Sequence, residues 1–179
     1  VSFFIIRKKR GSYYGPKKYQ PYLFGRSFFG FLGLITLFYA SSHAAQGDVT
    51  VLNKLSPIFV TLLAAVFMKE KLSPIQIPAL VLSVLGAFIV FRPSFQSDPF
   101  PLIVALLSAI TSGIAYTFLG YFKEKVDGIT VIMHFSTFSV YGYMPFVIGN
   151  FVTPDLRQSL LLMLISLFVS FRQVFIPYT

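Results

Sequence analysis

The stretch DVTVLNKLSPIFVTLLAAVFMKEKLSPIQ, residues 48–76, decides the fold of this chain. Val49 to Met68 span 20 residues with one charge, at Lys54, which is long enough to cross a hydrocarbon core of about 30 Å as a helix. Because the membrane core offers no water to backbone amides, the segment must satisfy them internally, which favours a helix. Pro57 lacks the amide hydrogen for one of those bonds and therefore predicts a bend or a local opening of the span.

The composition of the whole chain is that of an integral membrane protein. Of 179 residues, 55% are hydrophobic and 12% are charged, with a mean hydropathy of +0.74. A soluble domain carries about a quarter charged residues. Cysteine is absent, which excludes disulfides and thiolate metal sites. Much of the net charge of +9 comes from a basic cluster at 7–18 between two apolar segments, which favours a cytoplasmic loop over a nucleic-acid surface.

The apolar runs predict six full membrane spans and one stub. The stub is 1–6, and the spans are about 27–45, 49–68, 74–91, 100–121, 129–149 and 159–177. With residues 7–22 placed in the cytoplasm, the inner loops collect eleven basic residues and the outer loops two, so the positive-inside rule predicts this orientation. Both ends of the chain lie in or beside apolar runs. We therefore expect a fragment of a longer multi-pass protein of the plasma (cytoplasmic) membrane.

Small residues predict the faces through which helices pack, because lipid gives apolar side chains no reason to associate. The span at 100–121 carries such a stripe at Ala105, Ala109 and Gly113, with Ser108 and Ser112 beside it. The span at 74–91 carries another at Ala79, Ser83 and Ala87.

The opening stretch resembles the most recognisable part of EamA-type transporters of the drug/metabolite transporter superfamily. The residues that carry the resemblance are LSP at 55–57, LLAA at 62–65, EKL at 70–72, Gln76, and a small-residue helix that includes Gly86. The resemblance implies an all-α, polytopic transmembrane helical bundle of two inverted five-helix repeats. Residues 1–95 would be helices two to five of the first repeat, and residues 96–179 helices six to eight of the second. The first helix and the last two would be missing.

The same resemblance implies a secondary transporter that works by alternating access, with its substrate site between the repeats near the membrane centre. Members of the family export amino acids, other small metabolites or toxic compounds. The expected partners are therefore a small-molecule substrate and membrane lipid, with no nucleic acid. Proton coupling and a homodimer are left open.

Four candidate substrate-binding residues cluster at the predicted break: Asn53, Lys54, Ser56 and Pro57. Charged residues inside spans are often functional, but Lys54 lies close enough to the outer boundary for its side chain to snorkel to water. Asn53 either lines a cavity or bonds a neighbouring helix. Pro57 is either a hinge or a tolerated kink, and the resemblance favours the hinge.

Two further candidates lie in later spans. His134 titrates in a range that suits proton coupling, although a buried histidine bonded to a neighbouring carbonyl is the simpler interpretation. Tyr116 could stack on a substrate, but 18% of the chain is aromatic, so no single ring is strong evidence.

The sequence gives no support for an enzyme or for a cofactor. It lacks a phosphate-binding GxxxxGK[ST] loop, HExxH and GxSxG, and its two histidines have no acidic cluster beside them. A membrane-embedded lipid enzyme would need paired catalytic groups at one membrane depth, yet all six acidic residues fall outside the predicted spans or at their ends. A membrane interaction or assembly protein without transport activity is the main alternative.

Overall fold

The computed structural model describes residues 15–69, 73–96, 98–122, 125–149 and 155–175, with side chains described to residue 169. These residues form a short 3-10 helix, Lys17–Tyr19, and seven α-helices. The α-helices are α1 (Gln20–His43), α2 (Gln46–Asn53), α3 (Ser56–Phe67), α4 (Gln76–Phe91), α5 (Pro99–Phe122), α6 (Gly128–Gly149) and α7 (Leu156–Phe175). The predicted stub at 1–6, the loop at 7–14 and the EKL triplet at 70–72 lie outside the described residues.

The all-α transmembrane fold is confirmed, since each predicted full span contains helix. Four helical segments in the described chain have the length and apolarity to cross a membrane: Lys17–His43, Gln46–Phe67, Pro99–Phe122 and Gly128–Gly149. The apolar helices Gln76–Phe91 and Leu156–Val169 are shorter. Many large apolar side chains on these helices are exposed, as expected for surfaces that face lipid. The arrangement as two inverted repeats stays a prediction.

The chain divides into two compact units. One is Tyr22–Lys123, and the other combines Val1–Pro21 with Glu124–Thr179. In the second unit, α6 runs unbroken through Pro145, and the side chains of Ile129, Thr130 and Val131 near its start are buried.

Within the first unit, α5 contacts three other helices, α1, α2 and α3. Both α2 and α3 pack against it, and α4 packs against α2. The small stripe predicted on α5 is confirmed as a packing face, because Ala105, Ser108 and Ala109 have no exposed surface. A cluster of buried residues, Ala40, Val49 and Ala105, joins α1, α2 and α5.

Close backbone approach explains why α5 needs small residues. A Cβ at Gly113 would lie 2.7 Å from the Cβ of Phe59 in α3. A Cβ at Gly33 in α1 would lie 2.9 Å from the Oγ of Ser112. Aromatic contacts continue the α1–α5 seam toward the start of α1, where Tyr22 and Phe29 meet Phe118.

Two expectations need correction. The first helix begins at Gln20, seven residues before the predicted start at Ser27, so Arg26, one of the eleven basic residues assigned to the inner loops, lies in a helix. Atoms Nε and Nη1 of Arg26 are buried. The small residues predicted on α4 mark a packing face only near its end, because Ala87 is buried whereas Ala79 and Ser83 are exposed.

Candidate functional site

The predicted span at 49–68 is broken into two helices, α2 and α3. Lys54 and Leu55 form the connecting turn, both with helical φ and ψ values. The amide of Leu55 donates to the carbonyl of Leu52 at 3.1 Å, and the amide of Ile58 donates to the carbonyl of Leu55 at 2.9 Å. These are tighter three-residue connections than those of an α-helix.

Pro57 explains the position of this break. In an unbroken α-helix the residue at position 57 would donate its amide hydrogen to the carbonyl of Asn53. Proline has no such hydrogen, and its ring clashes with that carbonyl. The helix therefore stops at Asn53 and restarts at Ser56, with Pro57 in the first turn of α3, where the missing hydrogen costs nothing. The interruption predicted from the sequence is present, as a tight turn at Lys54 and Leu55.

Asn53 is held by α5. Its Nδ2 donates to the Oγ of Ser108 at 3.1 Å, and that hydroxyl donates in turn to the carbonyl of Ala105 at 2.7 Å. Of the two interpretations offered for Asn53, the structure therefore contains the interhelical bond. This bond engages only the nitrogen of the side-chain amide, so the Oδ1 atom remains as an acceptor.

The other residues at the break have different environments. Lys54 and Pro57 are exposed, and Ser56 is half-buried with its carbonyl against Gly113 of α5. The exposure of Lys54 agrees with both interpretations: a side chain that snorkels to water, and a side chain that faces a solvated substrate pathway. Its role is still a prediction, as are the roles of Ser56 and Pro57 in substrate binding.

A cavity of about 570 Å³ lies between α1, α3 and α5. This volume is within the range of small-molecule pockets. The residues that line it are Tyr22, Phe29, Leu63, Phe67, Met68, Ile114, Thr117, Phe118 and Tyr121. Five of these nine are aromatic, and the hydroxyl of Thr117 already donates to the carbonyl of Gly113 at 2.9 Å. The cavity is therefore suited to an apolar or aromatic group.

Sequence reasoning missed this cavity. Its α5 residues, Ile114, Thr117, Phe118 and Tyr121, recur at the spacing of one helical face, so a signal was present. Aromatic side chains are frequent throughout the chain, however, and one helix face does not reveal which other helices complete a cavity. The four candidates at the break are not among its lining residues.

The remaining two candidates lie apart from the cavity lining. Tyr116 is on α5 with 54% of its surface exposed. His134 is half-buried in α6, which belongs to the second compact unit. Proton coupling through His134 and substrate stacking on Tyr116 stay predictions.

The described residues contain no group of three histidine, cysteine, aspartate or glutamate side chains that could hold a metal ion. The cavity offers a ligand aromatic rings, and the break offers the side-chain amide of Asn53.

These features define a multi-pass helical membrane protein with one broken span beside an apolar cavity. The chain belongs to the EamA-like transporter family, which it matches over residues 1–92. The predicted family membership is thereby confirmed, and with it a location in the cell membrane.

Two relatives of the chain are named as an exporter and as a solute carrier. The chain is 30% identical to the pseudopaline exporter CntI of Pseudomonas aeruginosa (strain UCBPP-PA14) over 158 residues. The aligned region is 87% of this chain and 56% of that protein. The chain is 29% identical over 125 residues to human solute carrier family 35 member G1, covering 70% of this chain and 31% of that protein. The chain thus spans about half the length of the first relative and about a third of the second. No solved structure matches it significantly.

Proposed function

We propose that this chain is part of a transporter that moves a small molecule across the cell membrane, and that the cavity between α1, α3 and α5 binds the apolar part of the substrate. The observation that carries the proposal is the break at Lys54–Leu55, in the middle of a membrane span of a chain in a transporter family. Broken helices supply polar backbone groups at membrane depth, where an unbroken helix has none to offer.

In this proposal the break binds the polar part of the substrate and the cavity binds its apolar part. Leu63 and Phe67 of α3 line the cavity, and the polar atoms of Asn53, Lys54 and Ser56 lie before them in the chain. Leu63 follows Ser56 by seven residues, or about 10 Å along a helix. A substrate of that length could place an apolar end in the cavity and a polar end at the break, with Pro57 as the hinge.

The finer mechanism follows the architecture expected for the family. Residues 1–95 and 96–179 would belong to two inverted repeats that rock about a central site, so that the site opens to each side of the membrane in turn. The name of the Pseudomonas aeruginosa relative supports export as the direction. We also propose that His134 takes part in proton coupling, that Tyr116 contacts substrate, and that a homodimer is the functional unit.

Binding to the cavity can be tested by fluorescence, because the chain contains no tryptophan. Phe118→Trp places a single reporter in the cavity wall, and Phe100→Trp places one on the same helix outside it. The probe ligands are L-phenylalanine, as an amino acid, and ethidium, as a drug-like aromatic compound. We expect at least one probe to change the emission of the Phe118→Trp variant in a saturable manner and to leave the Phe100→Trp variant unchanged.

Transport itself is tested by flux of the bound probe across proteoliposome membranes. Leu63→Trp fills part of the cavity and should abolish flux, whereas Leu62→Trp adds the same ring at a neighbouring position that is 53% exposed and outside the lining. Equal flux in the two variants would refute the assignment of the cavity. Saturable binding without flux in the full-length protein would instead support an interaction protein.

A further inference from the structure

A carboxylate is buried at the start of α2. Asp48 has no exposed surface, although it lies close to the end of a membrane span. Its Oδ1 accepts a hydrogen bond of 2.7 Å from the backbone amide of Ser94, 46 residues away in the loop between α4 and α5. A buried carboxylate is costly unless it is hydrogen-bonded. This contact therefore ties α2 to the α4–α5 loop through a charged acceptor.

The backbone conformation of the α4–α5 loop orients the Ser94 amide. Arg92 ends α4 in the left-handed conformation with φ of 44°, and Phe95 is also left-handed with φ of 50°. Non-glycine residues with positive φ are uncommon and persist where surrounding contacts hold them. Two such residues flank Pro93 and Ser94, so the backbone turns on both sides of the donor. The Ser94 side chain is not part of the contact with Asp48.

The same end of α2 is also packed against α4. A Cβ at Gly47 would lie 2.8 Å from the carbonyl oxygen of Phe91, so the two backbones touch directly. Val49, on the other side of Asp48, is 1% exposed in the cluster that joins α1, α2 and α5. Asp48 thus lies between two close contacts, that of Gly47 with α4 and that of Val49 with α1 and α5.

We propose that Asp48 is a positioning residue for transport: it fastens α2 to the α4–α5 loop and so keeps the predicted outer end of this unit closed. This inference rests on the proposed function. Asn53 and Lys54 lie at the other end of α2, about 8 Å away along the helix. Release of the Asp48–Ser94 bond would free α2 to move at the break, which is the motion that outward opening requires.

Single cysteines can report this motion, because the chain has none of its own. Val49→Cys places a thiol beside Asp48 at a buried position, and cysteine behaves there as a small hydrophobic residue. Val131→Cys is the matched reporter in the second unit, where Val131 is also 1% exposed. Labelling of each with a water-soluble maleimide in proteoliposomes measures local opening.

Asp48→Ala should accelerate labelling at position 49 by about tenfold or more, since the hydrogen bond that ties the start of α2 to the α4–α5 loop is lost. Labelling at position 131 should not change. Asp48→Asn keeps an acceptor oxygen and should restore most of the protection. Ser94→Ala keeps the backbone amide and should behave like the unmodified chain. Acceleration at both reporters would identify a merely structural role and overturn the proposal, as would no acceleration at position 49.

A second measurement applies if Asp48→Ala fails to fold. In the unmodified protein, the Ser94 amide should exchange with deuterium at least about tenfold more slowly than the Gln96 amide, whose contact to Ser94 Oγ is 3.5 Å long and exposed. Equal exchange rates would overturn the proposal. Failure of the proposed function is a separate result: neither probe would cross the membrane, while the labelling pattern would persist.

Discussion

The two halves of the broken span, α2 and α3, are held in the unit by different means. In the eight residues of α2, Asp48, Val49 and Val51 are almost completely buried, and both ends bond through side chains to other elements. In the twelve residues of α3, no side chain is fully buried by the described part of the chain. Residues near its end line the cavity instead.

This difference shows how one membrane span can combine two roles: α2 is an anchor, fixed to neighbouring elements, and α3 provides a binding surface. Apolar side chains gain little by leaving lipid, so α2 is fixed by hydrogen bonds and close backbone contact. The first turns of α3 contact α5 around Gly113, and its later residues Leu63 and Phe67 border the cavity. The break between the halves allows each to follow its own packing.

The packing of α3 on α5 is tested most strongly at Gly113, because the two helices lie too close there to admit a Cβ. Gly113→Ala would place a Cβ 2.7 Å from the Cβ of Phe59, too close for either helix to keep its position. We expect a loss of about 2 kcal/mol in the free energy of unfolding, as for overpacked cores. Reversible unfolding in mixed detergent micelles provides the measurement.

Gly86→Ala is the matched control for this substitution. No atom lies within 4 Å of a Cβ at Gly86, so the added methyl group should stabilise α4 by about 0.5–1 kcal/mol through reduced backbone entropy. If both variants unfold alike, α3 is not packed against α5 as described.

The packing of α2 against α4 is tested at Gly47. A Cβ there would lie 2.8 Å from a backbone oxygen of Phe91, which cannot rotate away. We expect Gly47→Ala to lower the free energy of unfolding by about 1.5 kcal/mol. Gly120→Ala is its control, since its Cβ would meet only the Sδ of Met68 at 3.9 Å, and it should cost nothing. A Gly47→Ala variant as stable as Gly120→Ala would contradict the close packing of α2 on α4.

The break itself is tested by Pro57→Ala. Alanine restores an amide hydrogen that can reach the Asn53 carbonyl, so the two halves can join into one helix. Stability should rise by about 1 kcal/mol, the net value of one hydrogen bond, while probe flux falls. Pro145→Ala is the control, because α6 is already continuous through Pro145 and has no break to close. Undiminished flux in Pro57→Ala would remove the hinge from the mechanism.

Local patterns in the sequence predicted the features that local physics controls. The missing amide of Pro57 predicted the break, and the four-residue spacing of Ala105, Ala109 and Gly113 predicted the packing face of α5. The Asp48–Ser94 bond could not be predicted, since it joins residues 46 apart through a backbone donor that any residue type supplies. Asp48 alone suggested no more than a polar helix start.

The candidate site was predicted only in part, because its contacts also join residues that are far apart in the chain. Asn53 was identified as polar within a span, but its partner Ser108 depends on how α2 crosses α5. The cavity needed three helices to be placed together, and its rings look like the lipid-facing rings elsewhere in the chain. Tyr116 carries a similar ring and is not among the lining residues, which illustrates why aromatic content alone is weak evidence.

A smaller effect is expected for the bond between Asn53 and Ser108. A double-mutant cycle with Asn53→Ala and Ser108→Ala isolates the pairwise energy, which for hydrogen bonds between membrane helices averages about 0.6 kcal/mol. Thr117→Ala is a suitable third change, because its hydroxyl bonds only within α5 and should show no coupling to Asn53. Zero coupling between Asn53 and Ser108 would mean that the far end of α2 is held by shape alone.

The smallest change in stability is expected at Lys54, in the turn that separates the two halves. Its side chain is exposed, so Lys54→Gln should alter the free energy of unfolding by less than about 0.5 kcal/mol. Flux then distinguishes its two interpretations at constant stability. A lysine in the substrate pathway predicts a large loss of flux, whereas a snorkelling lysine predicts none. Lys17→Gln, which removes an exposed charge from the 3-10 helix before α1, controls for net charge. If both variants keep full flux, the polar contribution of the break comes from Asn53, Ser56 and the freed backbone, and the turn serves only to separate anchor from binding surface.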